Sequence, residues 1–223
     1  MKYYAIIVGG GSGSRMGAAI PKQFLILDEK PVLMHTIQAF YFSGFKPEII
    51  LVLNIDYHQY WEQLCDDHNF DIPHTVVKAG RQRFYSVKNG LKYIKGPAIV
   101  AVHDAVRPLV TDKLISNSFA EAELSGNAVC AVPASDSVRR VVGNSSECIN
   151  REEVFLVQTP QTFESSILKK AYQQPFRVTF TDDASVVERS GKEINLIPGD
   201  KTNLKITYPE DIRIAEFLVQ HRE

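Results

Sequence analysis

Four short runs rich in apolar and β-branched residues, at 4–8, 49–53, 98–102 and 128–132, recur along the chain at intervals that leave room for a helix between each pair. Runs of this kind fit strands buried on both faces. The stretches at 32–41, 57–68, 84–94 and 113–124 carry helical spacing, with Leu33, Ile37 and Phe40 as the apolar stripe of the first. Strand–helix alternation implies an α/β fold, a mainly parallel sheet covered by helices. Segments 165–172, 182–189 and 209–219 read as later helices. Pro209 suits the first turn of the last, where its missing N–H would have no partner anyway. Segments 194–197 and 204–207 read as short strands.

The alternation breaks after Pro133. Residues 134–153 are polar, and 138–142 and 148–151 are expected to pair as a hairpin across the Gly-Asn-Ser-Ser turn at 143–146. An isolated two-stranded hairpin is marginal in water. This one is expected to pack on something, and a second subunit is a natural candidate. With no internal repeat, low-complexity tract or linker, the reading is a single domain over 1–223 with an arm at about 134–153.

Composition narrows the function classes. Lys and Arg number 25 against 26 Asp and Glu, a formal charge of −1, so no global basic field favours nucleic acid as a partner. Cys65, Cys130 and Cys148 show no paired spacing, which argues against a disulfide framework or zinc site. The N-terminus lacks the apolar region and cleavage site of a signal peptide. No run approaches the roughly 18 apolar residues of a membrane span. A reducing cytoplasm is the expected compartment.

The first strand runs into Gly9-Gly10-Gly11-Ser12-Gly13-Ser14-Arg15-Met16-Gly17, followed by Pro21-Lys22-Gln23. Glycines after a first strand let backbone amides approach phosphates with no Cβ in the way. The plain alternative is a flexible turn. The loop's place at the carboxyl end of a strand, where open α/β sheets bind ligands, favours a site, as do its two cations. No Lys-Ser or Lys-Thr follows these glycines, which excludes a P-loop. The dinucleotide fingerprint fits only loosely, with Ser14 in place of the third glycine, and Pro21 interrupts the helix that should open there.

The run G-G-G-x-G-x-R-M-G followed by P-K-Q resembles the signature loop of the sugar-activating nucleotidyltransferases. It is most similar to the 2-C-methyl-D-erythritol 4-phosphate cytidylyltransferase family of the non-mevalonate isoprenoid pathway. That family more often has Ala-Ala-Gly at 9–11. Ala79-Gly80-Arg81-Gln82-Arg83 with Ser86-Val87 resembles its Gly-Gly-x-x-Arg-x-x-Ser-Val pattern and departs only at Ala79. The other matching segments are His103-Asp104-Ala105-Val106-Arg107-Pro108, Ser135-Asp136-Ser137-Val138-Arg139 with Asn150-Arg151, Thr159-Pro160-Gln161, Thr181-Asp182-Asp183-Ala184-Ser185, and Asn203-Leu204-Lys205-Ile206-Thr207. The resemblance spans residues 4 to about 217.

It implies a Rossmann-like, mostly parallel sheet flanked by helices, with a projecting β-hairpin dimerisation arm exchanged in a homodimer. It implies CTP and a sugar-alcohol phosphate as substrates and Mg²⁺ as cofactor. CTP would meet Gly9, Gly10, Gly11, Gly13, Gly80, Arg83, Ser86, Asp104 and Ala105, with Ser86 at the cytosine and Asp104 also at the metal. The acceptor would meet Ser137, Arg151, Thr159, Thr181 and Lys205, with Arg151 supplied by the partner. Arg15, Lys22, Arg151 and Lys205 would be the catalytic cations, and His103 and Arg107 would support the loop. Local alternatives stay open: Ser86 or Thr181 as a helix cap, Asp104 as a helix cap or in a salt bridge with Arg107, and Lys205 as an ordinary exposed strand lysine. Rival readings are a ribitol 5-phosphate cytidylyltransferase, a non-catalytic nucleotide-binding protein on the same fold, and an NAD-dependent dehydrogenase, disfavoured by the poor fingerprint.

Overall fold

The structure is a computed structural model, which describes residues 1–11 and 20–221. Arg15 and Gly13 lie outside the described residues. The strands are β1 (Lys2–Gly9), β2 (Ile26–Leu27), β3 (Lys30–Pro31), β4 (Glu48–Leu53), β5 (Thr75–Lys78), β6 (Ala98–Asp104), β7 (Asn127–Pro133), β8 (Val138–Val142), β9 (Ser145–Ile149), β10 (Phe155–Glu164) and β11 (Leu196–Pro198). The helices are α1 (Val32–Tyr41), α2 (His58–Asp67), α3 (Arg83–Leu91), α4 (Asp112–Ser125), α5 (Ser165–Ala171), α6 (Asp183–Arg189) and α7 (Pro209–Gln220).

Among the described residues, seven strands form one sheet in the order β11-β7-β10-β6-β1-β4-β5. β1, β4, β5 and β6 run parallel, and β11 runs parallel to β7. β10 is antiparallel to both β6 and β7, which makes it the reversed strand of a mostly parallel sheet. Alternation along β1 explains the two layers. Ala5 and Ile7 enter one core with Leu33, Ile37 and Phe119 of α1 and α4. Tyr4 and Ile6 enter the other with Phe84 and Val87 of α3 and Leu168 of α5. All seven residues of β6 are buried. Fully burying a Val or Ile side chain is worth roughly 1.5–3 kcal/mol, so the strand is held from both sides.

The chain leaves β1 for β4 and β5 on one side, then returns to lay β6 on the other. That reversal opens a crevice at the carboxyl ends of β1 and β6, where Val8 pairs with Asp104.

Several local expectations are corrected. The second hairpin strand is Ser145–Ile149, so the turn shortens to Gly143 and Asn144, while Arg151 falls in a 3-10 turn, Arg151–Glu153. Residues 204–207 do not form a strand: Ile206 N–H donates to the Val106 carbonyl at 2.9 Å, while Leu204 N–H turns back to Thr202. The strand expected at 194–197 is Leu196–Pro198. β10 has no counterpart in the sequence reading, because Pro160 breaks its pattern. Proline cannot donate to a ladder, and the register shifts between Val157 and Gln161.

Candidate active site

Two cavities meet at the carboxyl end of β6. The first, about 250 Å³, is lined by Gly9, Gly10, Gly11, Lys22, Gly80 and Ser86, among others. The second, about 300 Å³, is lined by Gln158, Thr159, Gln161, Thr181 and Asp182. Arg83, Asp104 and Lys205 line both, so these three side chains form the shared wall.

The floor of the first cavity is backbone. Gln23, on the 3-10 turn Lys22–Phe24, is buried and donates its side-chain N–H to the Gly9 carbonyl at 2.8 Å. That bond sets Lys22 beside the glycine loop. A Cβ on Gly80 would lie 2.3 Å from Tyr85 Cβ, so the loop can approach α3 only as glycine. A Cβ on Gly10 would lie 2.7 Å from Ala79 Cβ. Two of the three departures from the family pattern noted above therefore touch: the methyl missing at residue 10 is present at residue 79. Ser86 is buried, accepts the Gly80 N–H at 3.1 Å and donates to the Gln82 carbonyl at 3.2 Å. Its hydroxyl pins the loop and keeps one lone pair to accept a further donor. Gln82 makes no side-chain cap for α3, whose first turn lines the cavity, the arrangement that favours an anion.

Asp104 is 8% exposed and pairs with Lys205 Nζ at 2.8 Å, Arg83 Nε at 3.6 Å and Arg107 Nε at 3.6 Å. Burial alone would raise its pKa; the three cations outweigh burial and hold the carboxyl well below the usual range. Its backbone N–H donates to Thr159 Oγ1 at 3.1 Å, and Asn203 Nδ2 donates to the Thr159 carbonyl at 2.8 Å. Arg107 Nη1 donates to the Asn203 carbonyl at 2.7 Å, so one buried network fixes β6, β10 and the Lys205 segment together. His103, fully buried, bonds the Arg107 carbonyl at 3.2 Å and meets Phe40 edge-on. Burial pushes its pKa down to about 3, so it stays neutral.

The sequence profile of IspD, 2-C-methyl-D-erythritol 4-phosphate cytidylyltransferase, matches residues 3–221. The chain belongs to the 2-C-methyl-D-erythritol 4-phosphate cytidylyltransferase family. It is 51% identical over 97% of its length to the cytidylyltransferase of that name from Azobacteroides pseudotrichonymphae, covering 98% of that protein. It is 46% identical over 98% of its length to the one from Phocaeicola vulgatus, covering all of it. The crystal structure of the Thermus thermophilus cytidylyltransferase superposes with a TM-score of 0.78 at 28% identity, over 99% of this chain and 100% of that one.

Of the residues expected from resemblance to this cytidylyltransferase family, Gly9, Gly10, Gly11, Lys22, Gly80, Arg83, Ser86, Asp104 and Lys205 line the first cavity. Thr159 and Thr181 line the second. Ala105 is fully buried below the floor, with its N–H on the Val8 carbonyl at 3.1 Å. Ser137 and Arg151 line neither cavity; Arg151 is exposed and donates to the Ser135 carbonyl at 3.1 Å. The cap of α6 is Asp182, whose carboxylate accepts the Ser185 N–H at 2.9 Å, rather than Thr181. Sequence reading of this cytidylyltransferase did not find Arg81, an exposed cation at the mouth of the first cavity, or the part played by Gln23. The P-K-Q motif holds the signal for Gln23.

Magnesium takes one or two carboxylates and completes its shell with phosphate oxygens and water. Asp104 is the acidic side chain lining the first cavity, and no group of three or more His, Cys, Asp or Glu among the described residues is placed to cage an ion. That donor set offers a magnesium one carboxylate, itself already facing Lys205, Arg83 and Arg107, so an ion here would take most of its shell from the phosphates that carry it in.

Proposed function

We propose that the chain transfers CMP from CTP to 2-C-methyl-D-erythritol 4-phosphate, releasing pyrophosphate, within one domain that exchanges its arm in a homodimer. The observation that carries this reading is Lys205 held on Asp104 at 2.8 Å in the wall between the two cavities. A cation there reaches a nucleotide phosphate on one side and an acceptor phosphate on the other.

A phosphate monoester has a second pKa of about 6, so the acceptor is mostly a dianion at neutral pH. Its oxygen attacks the α-phosphorus in line; the new O–P bond forms as the bond to the β-phosphate oxygen breaks. No proton needs to move, so a general base is not required, and neutral His103 serves the loop. The glycine floor and the first turn of α3 receive the triphosphate, while Lys22 and Arg15 meet the charge that builds at the α-phosphorus. Lys205 and Arg151, the latter from a second copy of the chain, clamp the acceptor phosphate, with Ser137, Thr159 and Thr181 around its hydroxyls. Asp104 would hold Mg²⁺, which supplies charge neutralisation to the departing pyrophosphate.

The arm supports the dimer. Val141 and Val142 are 74% and 57% exposed, and Phe155, Leu156 and Val157 are exposed in succession on β10. Apolar strand residues in that run fit a covered surface. Among the described residues no helix is long and apolar enough to cross a membrane.

The test is pyrophosphate release with CTP and Mg²⁺, offering methylerythritol phosphate and ribitol 5-phosphate separately. Turnover with the first alone is expected. Turnover with ribitol 5-phosphate alone would replace the acceptor, and release with neither would sink the transferase reading.

A further inference from the structure

Behind the shared wall lies a second carboxylate that touches neither cavity. Asp183, at the start of α6, is fully buried. One of its oxygens accepts Arg83 Nη2 at 2.6 Å, and the other accepts the Tyr172 hydroxyl at 2.6 Å. Tyr172 is 2% exposed and stacks on Phe84, the neighbour of Arg83 on α3, with ring centroids 4.7 Å apart. Neither Asp183 nor Tyr172 lines the two cavities. Arg83 does, and its Nε faces Asp104 at 3.6 Å.

We infer that Asp183 and Tyr172 are positioning residues for the transfer, holding Arg83 to one side so that Asp104 remains directed at Lys205. Three cations, Arg83, Arg107 and Lys205, share two carboxylates, Asp104 and Asp183. With Asp183 in place, Arg83 divides its guanidinium between both: it faces Asp104 Oδ1 at 3.6 Å, while Oδ2 meets Lys205 at 2.8 Å and Arg107 at 3.6 Å. Without the Asp183 charge, Arg83 has Asp104 as its remaining anion. It then turns onto that carboxylate and displaces Lys205 from the wall. The helix that carries Asp183 is itself fixed: Gln161 on β10 donates to Asp182 at 2.9 Å and accepts the Ala184 N–H at 2.8 Å. The tether therefore starts from a rigid anchor, which is what preorganisation of a charged site requires.

The inference rests on the proposed transferase reading, and one experiment separates the two. Asp183→Asn and Tyr172→Phe are each made in the wild type and in Lys205→Ala, and kcat and KM for both substrates are measured below the melting temperature of every variant. In the wild-type background Asp183→Asn is expected to lower kcat by about tenfold to a hundredfold, with a smaller change in KM for CTP. Tyr172→Phe, which keeps the ring stack, is expected to act in the same direction by several-fold. In the Lys205→Ala background both changes shrink to less than about twofold, because the group they position is gone. Asp183→Glu restores part of the rate. Equal fold losses in both backgrounds would overturn the inference, since a merely structural role multiplies through. Should Asp183→Asn fail to fold, the Tyr172→Phe pair decides in the same way. A wild-type chain that releases no pyrophosphate strikes the transferase reading instead.

Discussion

Around Asp104, cations from three different segments converge on a carboxylate that is almost fully buried, whereas along β8–β9 the arginines bond within their own hairpin. Arg139 reaches Ser146 at 2.8 Å and Arg140 pairs with Glu147 on the neighbouring strand. Residues 139–148 are all exposed. The first region is over-determined by its own chain: strand, loop, helix and the Lys205 segment would each have to move for Asp104 to move. The second is exposed and paired within itself, the surface that the proposed dimer would cover.

The sharpest way to break that contrast is at the wall. Lys205→Ala is expected to lower kcat/KM by about 10²–10³, the usual loss for one preorganised charge contact. Asp104→Asn is expected to match that loss and also to destabilise the fold by about 3 kcal/mol, because buried Arg107 loses its carboxylate while Arg83 keeps Asp183. Urea midpoints and steady-state rates check both. Wild-type rates in either variant would show that the cluster is structural ballast. On the arm side, Arg151→Ala and Lys22→Ala chains are each expected to be inactive. Mixed and re-equilibrated, they should recover about a quarter of wild-type activity, since half the dimers then carry one intact site of two. No recovery would place Arg151 outside any shared site.

Acid sharpens the contrast further. His103 precedes Asp104 on β6, and its folded pKa of about 3 is below the ordinary value of about 6.5. Its contribution to stability is complete above the unfolded value and is lost as pH falls toward the folded one, because only the unfolded chain takes up the proton. At pH 5 the loss from this one residue is about 2 kcal/mol. His35 and His74, also shifted down by burial, act with the same sign. His103→Gln should therefore flatten, without abolishing, the fall in stability between pH 7 and pH 5. The Asp104 carboxylate gives way only at much lower pH, so an unchanged slope in His103→Gln would reject this assignment. A smaller effect is expected at the cavity floor. Gly10→Ala brings two methyls to 2.7 Å and should cost about 1 kcal/mol, and Gly10→Ala with Ala79→Gly should recover it. Additive losses in the double variant would show that the two loops do not interlock.

What the sequence could and could not disclose divides along similar lines. The alternation of buried runs and helical segments disclosed the sheet and its two covered faces, because burial on both faces leaves its mark within a single strand. The Gly9–Gly11 loop, Asp104 and Lys205 were legible because each sits in a compact local motif. The Arg83–Asp183–Tyr172 tether was not. It joins residues up to 100 positions apart, and a tyrosine at the end of a short amphipathic helix gives no local sign of a buried bond. β10 was hidden by Pro160, and the Lys205 segment was misread as a strand because Ile206 is apolar for packing under α7 rather than for pairing.

The smallest expected effect belongs to the arm, and it is the one that most tests the division. Arg140→Ala removes an ion pair whose side chains are 65% and 52% exposed. Solvent screening and side-chain entropy leave such pairs little net worth, so unfolding free energy should change by about 0.5 kcal/mol or less. Val141→Thr, at a 74% exposed position, should be as mild in a chain kept monomeric by dilution. The same substitution should weaken self-association, measured by sedimentation, if Val141 is covered by a second copy. A large loss of stability in the dilute chain would mean that the arm is held by its own protomer, and the contrast with Asp104 would fall. A mild loss there with intact association would leave the arm free and move the interface to Phe155–Val157.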